Sequence, residues 1–213
     1  THDNGEVTVV YKASLKMVPR ISRFEIDGFR VTFGSTPKYS NITVSQVGFQ
    51  HYYPTTSITT GLESGNVVNH IENLQSDVEV FGWFDGTKSA SWYWDAINCE
   101  ITPAAPAAGT AKPLAYHFFS TTMDQNVMPI MLIKLVVDGH ASYLYSDHFA
   151  KPDGTPVTSM EEGKIYRMHA EGTTSGSDGF VEIPEDVIDP LNRCIQLTVT
   201  VENWAVQLVK PIF

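Results

Sequence analysis

CIQLTVTVENWAVQLVKPIF, residues Cys194–Phe213, carries a strand pattern that changes part-way along. Ile195, Leu197, Val199 and Val201 alternate with Gln196, Thr198, Thr200 and Glu202, the period-2 pattern of a strand with one buried face. After Asn203 the rule changes. Trp204, Val206 and Leu208 continue on the opposite parity while Ala205, Val209 and Phe213 are apolar too, so residues 203–213 read as buried on both faces. A parity break followed by two-sided burial marks a bulge, or a passage from one packing environment to another. Most chain ends are polar and frayed, so this segment asks for a partner.

The same period recurs along the rest of the chain. From Val7 to Met17 every odd residue is apolar, which reads as one long strand stopped at Pro19. FEIDGFRVTF, residues 24–33, reads as a short strand, a turn at Asp27-Gly28 and a second strand, because Asp-Gly supplies the positive φ of a tight hairpin. NITVSQVGF (41–49), DVEVFGWF (77–84) and ASWYWDAI (90–97) follow as strands, with a polar loop over residues 54–75. TPAAPAAGTAKP (102–113) reads as an extended surface loop inside one domain. IMLIKLVVDGHASYLYS (130–146) carries the strongest hairpin signal, with Asp138-Gly139 at its tip. GKIYRMHAEG (163–172) adds a strand, and IPEDVIDPLN (183–192) a connection with room for one helical turn. Strands at this spacing, with little helix, predict an all-β fold: a single β-sandwich domain over residues 1–213, with seven or more mostly antiparallel strands.

Charge narrows the function. Lys plus Arg number 14 against 24 Asp plus Glu, a net charge of −10, and no local basic patch interrupts it. That sign repels a phosphate backbone, so nucleic acid is not an expected partner. No apolar run is long enough to span a bilayer as a helix, and THDNGEVTVV lacks the basic and apolar regions of a signal peptide. The expected tie to a membrane is a lipid anchor outside these residues.

Chemistry-bearing patterns are few. Cys99 and Cys194 sit in strand-like settings and read first as small buried hydrophobes, with a disulfide as the main alternative and metal ligation weighing least. Ser146, Asp147 and His148 adjoin in YSDHF, but neighbours in a strand point to opposite faces and do not converge as nucleophile, base and orienting acid. The seven histidines show no metal-ligand spacing. With no phosphate loop, nucleophile elbow or paired carboxylates, no catalytic residue, metal or cofactor is expected. Trp83, Trp92 and Trp94 are the one binding candidate, a flat stacking platform for sugar rings. The competing reading packs Trp92 and Trp94 into the sandwich core with Tyr93 outward.

YKASLKMVPRISRFEIDGF (11–29), NITVSQVGF, EGKIYRMHAEG (162–172, one Glu upstream of the strand above) and LTVTVENWAVQLVKPIF (197–213) together resemble, in order and spacing, the C-terminal domain of the fimbrillins, the type V pilins of Bacteroidales. The final V-x-V-x-x-W and its apolar tail are the most specific element. The resemblance implies a transthyretin-like β-sandwich, export as a lipoprotein and assembly into fimbriae at the outer membrane. The expected function is a structural or accessory fimbrial subunit, not an enzyme, contributing to adhesion on the cell surface. Its expected partners are other fimbrial subunits, joined head-to-tail by strand exchange, and a host or microbial surface ligand. Trp204, Val206, Leu208, Val209 and Phe213 would then be the donated strand. The alternative is a secreted or surface carbohydrate-binding module using Trp83, Trp92 and Trp94. Family members carry an N-terminal domain and a lipid-modified Cys that have no counterpart here, so the chain reads as a fragment that starts near their second domain.

Overall fold

The computed structural model describes residues 19–56, 63–64, 93–120, 127–169, 179–188 and 194–203. The strand expected over Val7–Met17, Trp83, Trp92 and the tail Trp204–Phe213 lie outside the described residues.

The protein is all-β. Among the described residues its strands are β1 (Ile21–Thr32), β2 (Ile42–Gln50), β3 (Thr55–Thr56), β4 (Glu63–Ser64), β5 (Tyr93–Ile101), β6 (Ala107–Phe119), β7 (Ile130–Val137), β8 (His140–Ala150), β9 (Pro156–Val157), β10 (Lys164–Met168), β11 (Phe180–Pro184) and β12 (Cys194–Asn203). Among the described residues the one helical element is a 3-10 turn at Glu185–Ile188, where the sequence leaves room for it. The main ladder runs β11-β1-β10-β12-β8-β7-β2-β5, with β6 on β1 and β9 on β8; β3 and β4 form a separate ribbon. Pairings are mostly antiparallel, the exceptions being β1 with β10 and β11, and β12 with β8.

The ladder curls so that its two ends face one another across an aromatic core. Phe24 of β1, fully buried, lies with its ring centroid 5.6 Å from Phe49 of β2, 4.9 Å from Phe149 of β8, 5.8 Å from Phe118 of β6 and 5.5 Å from Tyr166 of β10. Rings from five strands thus meet at one residue, in the offset and tilted arrangements that aromatic quadrupoles favour. Around them, Met131, Ile133, Leu135 and Val137 of β7 are buried at the alternating positions that the sequence marks.

β12 stands in the middle of the ladder and joins its two halves. Ile195, Leu197 and Val199 are buried, as their parity predicts. Residues Cys194–Thr198 pair with β8, whereas Val199–Asn203 pair with β10. One strand therefore belongs to both halves of the curl, and the change of partner falls at Val199, before the parity break at Asn203.

Two segments differ from the sequence reading. Asp27-Gly28 makes no turn: β1 runs straight through it, while the register with β6 jumps from Ile26 opposite Leu114 to Gly28 opposite Gly109. The buried set still changes parity there, from Phe24 and Ile26 to Phe29 and Val31. A bulge changes parity as a hairpin does, so the two are alike in sequence. The expected loop Thr102–Pro113 is also largely strand. A tight turn between Thr102 and Ala105 leads into β6, whose small residues Ala107, Ala108 and Gly109 lie against β1. Pro113 is tolerated because β6 has no second partner among the described residues, and an edge strand does not need that N–H.

Candidate functional site

A cleft of about 510 Å³ opens where β8, β9, β12 and the end of β2 meet. Its lining is apolar at Met128, Ile130, Phe149 and Val157 and polar at His51, Asp147, His148 and Gln196. The polar side is built by a bulge. Cys194 of β12 faces Tyr145 of β8, but Gln196, two residues on, faces His148, three residues on. The extra residue in β8 separates the buried run Leu144–Ser146 from the buried pair Phe149 and Ala150. It also brings Asp147 and His148 together, the Nδ1 of His148 contacting Oδ1 of Asp147. Strict alternation, assumed in reading YSDHF, therefore fails at this one point. Ser146 does not join them: it is buried, and its hydroxyl donates to the carbonyl of His148 at 3.0 Å.

Cys194 completes the group. Its Sγ lies 3.5 Å from Oδ1 of Asp147, and the ligand atoms of Asp147, His148 and Cys194 all fall within 4.8 Å of one another. Both thiols are free; Cys99 is buried as expected, but Cys194 is exposed. Desolvation and then the Asp147 charge push the Cys194 thiol up to about 11, so at neutral pH it carries its proton. His51, at the end of β2, has a φ of 60°, uncommon for a residue with a Cβ. Burial lowers its pKa, and the Asp147 carboxylate opposes that shift, which sets His51 within electrostatic reach of the group.

Of the three candidate platform residues, Trp94 alone lies among the described residues. It pairs with Gly48, between Val47 and Phe49, both buried in the core. Paired residues share a face and neighbours along a strand alternate, so Trp94 stands on the outer face of β5, half-buried. The core-packing reading placed it on the opposite side. Its neighbour Asp95 accepts a hydrogen bond from the hydroxyl of the buried Tyr116 at 2.7 Å. The five residues expected to form the donated strand lie outside the described residues.

No family model matches the chain, and no curated protein matches it. Solved structures do. A proposed cell adhesion protein from Parabacteroides distasonis aligns with a TM-score of 0.55 at 10% identity, covering 90% of this chain and 54% of its own. A second from the same organism gives a TM-score of 0.44 at 11% identity over 88% of this chain and 60% of that one, and one from Bacteroides ovatus gives 0.37 at 13% over 88% and 46%. The fold likeness rests on the first alone. The chain spans about half the length of that structure.

Proposed function

We propose that this chain is a structural or accessory subunit of cell-surface fimbriae that assembles head-to-tail by β-strand exchange and contributes to adhesion without catalysing a reaction. The observation that carries the reading is the course of β12. The strand serves both halves of the curl, and its sequence runs on past Asn203 into a segment apolar on both parities. A strand that must find two covered faces beyond its own ladder suits insertion into a neighbouring subunit, where edge hydrogen bonds supply affinity and alternate side chains set register. Burial of Trp204, Val206, Leu208 and Val209 would contribute roughly 1.5–3 kcal/mol per large side chain, which disfavours leaving them in water. The likeness to a proposed adhesion protein supports the same reading at the level of fold. A surface location and a lipid anchor supplied from outside these residues belong to this proposal.

Deletion of Ala205–Phe213 tests it. The truncated protein should keep its melting transition and lose entry into fibres when mixed with the full chain. A truncated protein that is insoluble or molten makes the segment an ordinary core strand and overturns donation. The outward placement of Trp94 favours a second reading, a carbohydrate-binding face formed with Trp83 and Trp92. Glycan-array binding that Trp92→Ala abolishes in a still-folded protein would establish it.

A further inference from the structure

We propose that Asp147, His148 and Cys194 form a binding site for one divalent transition-metal ion of the zinc class, clamping the start of β12 to β8. A borderline-soft cation takes one sulfur, one imidazole nitrogen and one carboxylate oxygen without preference among geometries. Tetrahedral zinc at its usual bond lengths spaces a thiolate and a carboxylate oxygen about 3.6 Å apart, and Cys194 Sγ already stands 3.5 Å from Asp147 Oδ1. His148 Nδ1, in contact with that same oxygen, moves outward by a side-chain rotation as the ion enters between them. On binding, the Cys194 S–H bond breaks and its proton leaves to solvent while the sulfur lone pair forms the bond to the metal.

Two further observations favour a site over a chance cluster. The three side chains come from two strands and are brought together by a bulge, a feature that re-aims side chains. Asp147 and His148 line the same cleft as His51, a further imidazole, which is held there in an uncommon backbone conformation. The site is independent of the tail: it lies at the beginning of β12, and strand exchange concerns the residues past Asn203 at its other end.

Titration of the full chain, kept reduced, with cobalt(II) chloride and then zinc chloride tests the proposal. One cobalt per chain should bind with a thiolate-to-cobalt charge-transfer band, which zinc displaces and which Cys194→Ser abolishes. His148→Ala should weaken zinc by more than the roughly 10–100-fold typical of losing an outer-shell partner. A measurement on the unmodified protein guards against misfolded variants: zinc should slow alkylation of Cys194 and leave Cys99, buried on β5, as it was. A cobalt complex without the thiolate band, zinc affinity equal in Cys194→Ser, or alkylation of Cys194 indifferent to zinc would overturn the site.

Discussion

Asp138-Gly139 and Asp27-Gly28 are the same dipeptide, and the chain folds them in opposite ways. At Asp138-Gly139 both residues take positive φ, 45° and 87°, and Val137 pairs with His140 across a two-residue turn. A Cβ on Gly139 would meet nothing within 4 Å. At Asp27-Gly28 the strand continues. The Asp27 N–H donates to the carbonyl of Gly179 at 2.7 Å, and a Cβ on Gly28 would lie 2.4 Å from a ring carbon of Phe180 and 2.6 Å from the carbonyl oxygen of Ala108. One glycine supplies a conformation; the other supplies space. The flanks decide which. The strands beside Asp138-Gly139 pair directly with each other, from Met131 opposite Ser146 to Val137 opposite His140. Those beside Asp27-Gly28 are claimed separately, Arg23–Glu25 by β10 and Gly28–Thr32 by β11, with β6 along the other edge.

Substitution separates the two roles of glycine. Gly28→Ala should cost about 3 kcal/mol in urea unfolding, the upper part of the range for overpacking, because one of the three obstructing atoms is backbone and does not yield. Combined with Phe180→Ala, the pair should be less destabilising than the sum by about 1–2 kcal/mol, since both ring carbons are gone and the Ala108 carbonyl remains. Strict additivity would mean that Phe180 does not set the requirement for glycine. Gly139→Ala should cost less, about 1 kcal/mol, because only the backbone conformation resists it.

The smallest effect concerns Asp138, whose carboxylate accepts from the Ser40 hydroxyl at 2.6 Å and from the Asn41 N–H at 2.8 Å, tying the turn to the start of β2. Those bonds, the Ser40 hydroxyl first, hold its pKa below the ordinary carboxylate value. A depressed carboxyl stabilises the fold above its unfolded pKa and loses that contribution as pH falls through its folded pKa. The difference in Tm between the parent and Asp138→Asn should therefore be full at neutral pH and shrink in acid, below about pH 4. A difference constant from neutral pH to about pH 2 would remove the charge from the account. No comparable acid dependence is expected at Gly28, where packing alone is at stake.

Periodicity and turn chemistry are local properties, and they carried most of the secondary structure. The alternation in Ile42–Gln50, Ile130–Val137 and Cys194–Asn203 marked these strands, and Asp138-Gly139 marked its hairpin, because burial on one face and a left-handed turn both leave their residue types in the chain. The candidate metal group was not legible in the same way. Asp147 and His148 converge through a single extra residue, and Cys194 reaches them from a different strand paired in parallel. A bulge costs no special residue type here, so alternation gave no warning of it.

By itself, then, the sequence determined an all-β chain, the buried face of each well-patterned strand and the tight turn at Asp138-Gly139, since each arises from forces acting within a few residues. Only the tertiary structure decided that Asp27-Gly28 is a joint within one strand, that the Pro- and Ala-rich segment lines an edge, that Trp94 faces outward and that β12 is shared between both halves of the curl. Those outcomes depend on which distant strand lies alongside, and a chain's hydrogen-bonding groups carry no label for their partner. Partner choice is settled when the whole apolar set, with Phe24 at its centre, is buried at once.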